Sequence, residues 1–168
     1  MARLRVGIIG CGGIANGKHM PALSRIPNAK MVAFCDLIPE RAEKARTKYG
    51  TPDAKVYTDY KELLKDEEIE VVHVLTPNRE HAQITVDALE AGKHVMCEKP
   101  MAINSTEAKK MIDAAKRTGK KLTIGYQTRQ RADSQYLKKE AEDGTFGDIY
   151  FAKRSEEHTS ELQSPGLI

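Results

Sequence analysis

Four constellations in this sequence combine residue types and spacings that could do chemistry. The first is Gly10-Cys11-Gly12-Gly13-Ile14-Ala15, where Gly10, Gly12 and Ala15 fit the pattern G-x-G-x-x-G/A. Between a strand and a helix, the first glycine permits a tight turn and the second lets backbone approach a pyrophosphate. The third small residue lets the helix pack closely on the strand. The helix that follows offers unpaired N–H groups and the positive end of its dipole to an anion. The same pattern also fits an ordinary tight turn, so the other constellations must decide between the two. The second is Asp36, about twenty residues on, where an acid accepts hydrogen bonds from a ribose 2′-hydroxyl and repels a 2′-phosphate. Leu37 follows it and no arginine is adjacent, which favours NAD over NADP, although Arg41 stands one helical turn further along. Asp36 could instead be a helix cap ahead of Pro39.

The third constellation is Thr76-Pro77-Asn78-x-x-His81 and the fourth is Glu98-Lys99-Pro100. Taken singly, Asn78 reads as a helix cap. His81 reads as a first-turn residue that the helix dipole keeps neutral, and Lys99 as a solvated turn lysine. A lysine beside a reacting hydroxyl can also hydrogen-bond it and stabilise developing alkoxide charge.

Alternating elements must bring these residues together. Short apolar runs at Val6–Ile9, Met31–Cys35, Val71–Leu75, His94–Cys97 and Lys121–Ile124 read as strands, with a weaker one near Lys55–Tyr57. Helical patterns lie between them: Ile14–Arg25 closed by Pro27, Pro39–Tyr49 stopped by Gly50, and Tyr60–Leu64. Asn78–Ala91 stopped by Gly92 and Asn104–Thr118 stopped by Gly119 complete the series, the last opening on a capping-box pattern, Asn104-x-x-Glu107. This βα repetition predicts an α/β fold, a doubly wound parallel sheet. Ligands bind such sheets outside the carboxyl ends of the strands, and all four constellations fall there. A helix at Gln135–Glu142, the turn Asp143-Gly144 and a strand at Ile149–Lys153 lie beyond the sixth strand. They read as the start of something further, with an unpaired edge prone to self-association.

The bulk composition is permissive. The 168 residues carry a net charge of +3 with 40% hydrophobic and 30% charged residues, and the basic side chains are scattered. That balance gives no reason to expect nucleic acid, and no apolar run has membrane-spanning length. Met1 runs almost at once into a strand, with no secretory pattern. Cys11, Cys35 and Cys97 are odd in number and lack metal-ligand spacing, so reduced thiols in a cytoplasmic protein are expected, with no metal.

The motifs resemble those of the glucose–fructose oxidoreductase/inositol dehydrogenase/rhizopine catabolism (Gfo/Idh/MocA) family. The resemblance rests on the glycine loop with His19-Met20-Pro21-Ala22-Leu23 and on Thr76-Pro77-Asn78-x-x-His81. It also rests on Ala88-Leu89-Glu90-Ala91-Gly92-Lys93-His94-Val95 and on Glu98-Lys99-Pro100-Met101-Ala102. It runs from Met1 to about Lys153. It implies a Rossmann domain over residues 1–124 and, over 125–153, the truncated start of an α+β substrate domain. It implies a nicotinamide cofactor bound by Gly10, Gly12, Gly13, Ile14, Ala15, Asp36, Thr76, Pro77, Asn78, His81, Glu98 and Lys99. Gln127, in Gly125-Tyr126-Gln127-x-Arg129, would approach the nicotinamide side. Lys99 would match the family's catalytic lysine, with Glu98 holding the nicotinamide ribose or orienting it, and the Lys99–Pro100 bond could be cis.

The activity implied is hydride transfer between nicotinamide and a secondary alcohol or ketone of a sugar, inositol or related polyol, in either direction. Two alternatives stand beside it: an NAD-dependent glycoside hydrolase of the same family, and a non-catalytic nucleotide-binding protein. The family's further Asp and His, and the sheet through which a parent would form homo-oligomers, are expected beyond this chain. Residues 154–168, opening on Arg154-Ser-Glu-Glu-His-Thr-Ser-Glu-Leu-Gln-Ser164, resemble a translated sequencing adapter and read as a non-native tail. A catalytically inactive fragment is the expectation for the chain as it stands.

Overall fold

The computed structural model describes residues 3–151; the expectations for Lys153 and for the tail lie outside them. Six strands, β1 (Leu4–Ile9), β2 (Ala29–Cys35), β3 (Gly50–Tyr57), β4 (Val71–Val74), β5 (His94–Cys97) and β6 (Leu122–Ile124), form one sheet in the order β3-β2-β1-β4-β5-β6. All five pairings are parallel. The order reverses at β1, between β2 and β4, and that reversal leaves a crevice at the carboxyl ends.

The near-continuous apolar runs of β1 and β2 follow from burial on both faces. On one face Val6, Ile8, Met31 and Phe34 pack beneath Met20, Leu23, Ala42 and Ala45. On the other, Ile9, Val72, Val74, Val95 and Cys97 pack beneath Leu63, Ile84, Leu89 and Met111. Neighbours Ile8 and Ile9 join opposite cores because strand side chains alternate. The covering helices are α1 (Met20–Leu23), α2 (Pro39–Tyr49), α3 (Tyr60–Leu64), α4 (His81–Glu90) and α5 (Ser105–Thr118).

Several boundaries differ from the sequence reading for physical reasons. The first helix is not uniform: Ala15–His19 is a π turn, closed by a bond from Met20 N–H to the Ala15 carbonyl, before α1 begins. Gly50 does not cap α2 in a left-handed conformation; it is extended (φ −76°) and starts β3 directly. Asn78 does not cap α4. It opens a 3₁₀ turn, Asn78–Glu80, without a capping side-chain bond. Asn104 does cap α5, accepting from Glu107 N–H at 2.9 Å. The reciprocal half of the capping box is not made, and Glu107 Oε2 is buried without a partner among the described residues.

The first compact unit ends at Tyr126, just past the expected Ile124 boundary, and the second begins at Gln127. Within its described part, the second unit holds a 3₁₀ turn (Gln127–Gln130) and α6 (Ala132–Glu142). The strand expected from Ile149 does not form over residues 149–151, where Tyr150 is 99% exposed. A strand needs a neighbour, and the second unit presents none among the described residues. No helix among the described residues is long and apolar enough to cross a membrane.

Candidate functional site

The carboxyl end of β1 carries the glycine loop. Gly10 has φ +93°, and a Cβ there would lie 2.7 Å from the Leu75 carbonyl oxygen. The residue is therefore glycine for two reasons, conformation and close passage against the chain leaving β4. Gly12 and Gly13 are the opposite case: a Cβ at either would meet nothing within 4 Å, so the space before the loop is open. Asn16 Nδ2 donates to the carbonyls of Cys11 (2.7 Å) and Gly12 (3.0 Å), fixing the loop from behind. Ala15 is 0% exposed and gives the close helix–strand packing its position predicts, while Ile14 is exposed. The first N–H groups of a helix have no intrahelical partner, so this end can receive an anion.

Asp36 stands at the carboxyl end of β2. Its Oδ2 accepts from Cys11 N–H at 2.8 Å and its Oδ1 from Ile38 N–H at 2.9 Å. It is therefore not the N-cap of α2, which is Ile38. It makes a local turn and, in addition, braces the glycine loop from a position 25 residues away. Each carboxylate oxygen has capacity for a further donor. Leu37 beside it is 90% exposed.

The ends of β4 and β5 supply the other half. Thr76 Oγ1 is buried without a partner among the described residues, and Pro77 and Asn78 are exposed. His81 departs from expectation. It is 1% exposed, with Nε2 at 2.8 Å from the Thr76 carbonyl oxygen and Nδ1 at 2.8 Å from that of Pro100. The ring is buried between the turn that follows β4 and the turn that follows β5. Lys99 is exposed, precedes a cis peptide bond to Pro100, and donates its backbone N–H to Glu98 Oε2 at 2.9 Å.

Glu98 has a second partner that the sequence analysis left without a role. Its Oε1 lies 2.7 Å from His19 Nε2, with the side chains only 13% and 10% exposed. The π turn ends at His19, and π turns occur disproportionately at functional sites because the extra residue re-aims the side chains after it. Gly125 makes room for the pair, since a Cβ there would lie 3.1 Å from Glu98 Oε1. His19 also meets His73 edge to face, at 5.6 Å between ring centroids and 85° between planes. Contacts between residues so far apart in the chain leave no local pattern. The only sequence signal for His19 was its place in the motif after the glycine loop.

Burial, and then the neighbouring His19, push the His73 pKa down from 6.5 to about 4. The unfolded chain binds this proton below about pH 6.5 and the folded chain does not until about pH 4. His73 thus supports stability above pH 6.5, and the support fades as pH falls to about 4, by about 3 kcal/mol. Denaturant titrations of the wild type and of His73→Leu check this, with the acid-side loss expected to flatten in the variant. The thiols of Cys11 and Cys35 are each pushed up to about 12 and that of Cys97 to about 11, in every case chiefly by burial. All three are free and buried, and serve as packing rather than as nucleophiles.

Gln127, the remaining expected residue, lies in the 3₁₀ turn of the second unit and is exposed.

Comparisons with known proteins agree with this geometry. The Gfo/Idh/MocA family, described as "Oxidoreductase family, NAD-binding Rossmann fold", matches residues 4–126. A D-glucoside 3-dehydrogenase of Escherichia coli is 39% identical over 147 residues, covering 88% of this chain and 41% of that protein. A glycosyl hydrolase family 109 protein of Porphyromonas gingivalis is 38% identical over 124 residues, covering 70% of this chain and 26% of that protein. The crystal structure of the WlbA dehydrogenase from Bordetella pertussis, in complex with NADH and UDP-GlcNAcA, superposes with a TM-score of 0.81 at 31% identity. That match covers 89% of this chain and 42% of that one. The chain thus spans about two fifths of the length of the dehydrogenases it matches. On its glycine loop, its strand order and these matches, the chain belongs to the Gfo/Idh/MocA family of oxidoreductases, over the family's NAD-binding Rossmann fold.

Proposed function

We propose that the crevice binds NAD and that the chain is the cofactor-binding part of a dehydrogenase acting on a secondary alcohol or ketone of a sugar or polyol. The observation that carries this reading is the pairing of an open, braced glycine loop with an acid at the end of β2 and a lysine at the end of β5. The residues present fit the cofactor. Gly12 and Gly13 leave space for a pyrophosphate before a helix N-terminus, and Asp36 has free lone pairs for an adenosine ribose. The orphaned Thr76 Oγ1 has a hydrogen bond still to make near the nicotinamide half, where Pro77 and Asn78 are exposed. Bound nicotinamide supplies the hydride acceptor or donor.

Lys99 then has the chemical task. Its ammonium hydrogen-bonds the reacting oxygen and stabilises the alkoxide charge that develops as hydride reaches the carbonyl carbon in reduction or, in oxidation, as the hydroxyl proton passes to a base of the complete substrate domain before hydride leaves. Glu98, held by His19 on one oxygen and by Lys99 N–H on the other, fixes the turn from which the lysine projects. Residues 125–153 begin the substrate domain in this reading. A sugar or polyol is the small-molecule partner, the reduced cysteines suit the cytoplasm, and homo-oligomers form through the substrate domain.

The match to the glycosyl hydrolase, over 70% of this chain, keeps a second reading in view. In the protein that carries this segment with a complete substrate domain, net release of NADH from NAD and an alkyl glucoside or polyol identifies the dehydrogenase. Glycoside cleavage with no net NADH identifies the hydrolase. In that protein Lys99→Ala is expected to lower turnover at least a thousandfold, about 4 kcal/mol of transition-state stabilisation, with NAD affinity changed less than threefold. Parallel loss of both, by steady-state kinetics and calorimetry, would contradict the role given to Lys99.

A further inference from the structure

The glycine loop spends its first two N–H groups on the protein itself. Gly10 N–H donates to the Cys35 carbonyl oxygen and Cys11 N–H to Asp36 Oδ2, each at 2.8 Å. The next two, of Gly12 and Gly13, meet no acceptor among the described residues. Their direction is set from the other end of the peptide unit. In a trans peptide the carbonyl and the N–H point opposite ways, and the one cis bond among the described residues is Lys99–Pro100. The carbonyls that share these two peptides are those of Cys11 and Gly12, and Asn16 holds both. Its Nδ2 lies 2.7 Å from the Cys11 oxygen and 3.0 Å from the Gly12 oxygen, and its backbone N–H adds a bond to the Gly12 oxygen at 3.1 Å. Neither carbonyl can donate, so the side-chain amide has one workable orientation, with its nitrogen toward both. The NH₂ group carries two protons, one for each acceptor.

Two successive peptide planes are thus held by their oxygens, and their N–H groups face away from Asn16. The loop is open beside these residues, since a Cβ at Gly12 or Gly13 would meet nothing within 4 Å. We propose that Asn16 is a positioning residue for the cofactor pyrophosphate: by holding the Cys11 and Gly12 carbonyls it keeps the Gly12 and Gly13 N–H groups aimed at the ligand. The identity of that ligand rests on the function proposed above; the orientation of the N–H groups does not. Donors fixed before binding gain the ligand affinity, because no backbone has to be ordered when it arrives.

The test uses the whole chain. Residual dipolar couplings of the ¹⁵N-labelled wild type, without ligand, report the directions of the Gly12 and Gly13 N–H bonds relative to β1. Both are expected to point away from Asn16, and couplings that turn either one toward it would overturn the brace. This arm does not depend on any variant folding. Asn16→Leu keeps the size of the side chain and loses both donors. Its Gly12 and Gly13 couplings are expected to change while those of β1 stay as they were. Chemical-shift titrations then compare ADP, which carries a pyrophosphate, with adenosine, which does not. In Asn16→Leu the affinity for ADP is expected to fall about tenfold and that for adenosine less than twofold. A general loosening of the crevice would weaken both ligands alike, so equal losses would overturn the positioning role, as would an unchanged affinity for ADP. Failure of the wild type to bind NAD or ADP would count against the proposed function, and the couplings would still decide the orientation.

Discussion

Gly10→Ala is expected to destabilise the fold by about 3–5 kcal/mol, a large part of the 5–15 kcal/mol that holds a typical domain together. Two costs combine. The backbone sits at φ +93°, which a side chain opposes by about 1–3 kcal/mol. The new methyl would also sit 2.7 Å from the Leu75 carbonyl oxygen, where backbone rather than a flexible side chain must move. The β1 turn and the chain leaving β4 would be forced apart at the centre of the sheet. Gly12→Ala provides the contrast. Its methyl meets nothing within 4 Å, so stability should change by less than about 1 kcal/mol. The methyl would instead enter the open space proposed above for a pyrophosphate, and NAD affinity should fall at least a hundredfold, about 3 kcal/mol. Urea denaturation and calorimetry on the two variants separate the effects. A stable Gly10→Ala, or a Gly12→Ala that binds NAD normally, would contradict the geometry given to the loop.

Asp36→Ala carries the second large effect. The carboxylate accepts from Cys11 N–H and Ile38 N–H and has capacity left for a ribose hydroxyl. Its removal takes away the ligand contact and the brace on the glycine loop together. Charged hydrogen bonds contribute about 1.5–3 kcal/mol each, so NAD affinity is expected to fall about a hundredfold. NADP affinity should fall much less, because the variant also loses the negative charge that repels a 2′-phosphate. The ratio of the two dissociation constants therefore moves toward unity. Equal losses for both nucleotides, measured by calorimetry, would assign Asp36 to loop support alone.

The parallel sheet was legible because β1, β2, β4 and β5 are short, mainly apolar runs closed by a polar or glycine turn, whereas β3, which carries Pro52, Asp53 and Lys55, was read only over its last three residues. Burial on both faces writes that pattern into β1 and β2, and the limits read for β5, His94–Cys97, are those observed. The glycine loop was legible for a related reason, since Gly10 and Ala15 answer local steric demands. What the sequence did not disclose is pairing at a distance. The bonds from Asp36 to Cys11, from His19 to Glu98 and from His81 to Pro100 span 25, 79 and 19 residues, and no periodicity encodes them. A helix start predicts exposure, whereas His81 is buried with its ring nitrogens against the Thr76 and Pro100 carbonyls. No strand forms over 149–151, the described part of the one expected from Ile149, because β-rich composition signals a preference that needs a neighbour to be realised.

The central claim is that this chain forms an NAD-selective crevice. The most direct test is a calorimetric titration of the chain with NAD and, separately, with NADP. NAD is expected to bind with one-to-one stoichiometry, and NADP at least tenfold more weakly, because in the proposed site the Asp36 carboxylate would repel a 2′-phosphate. NADP binding as tight as NAD, or binding of neither nucleotide, would contradict it.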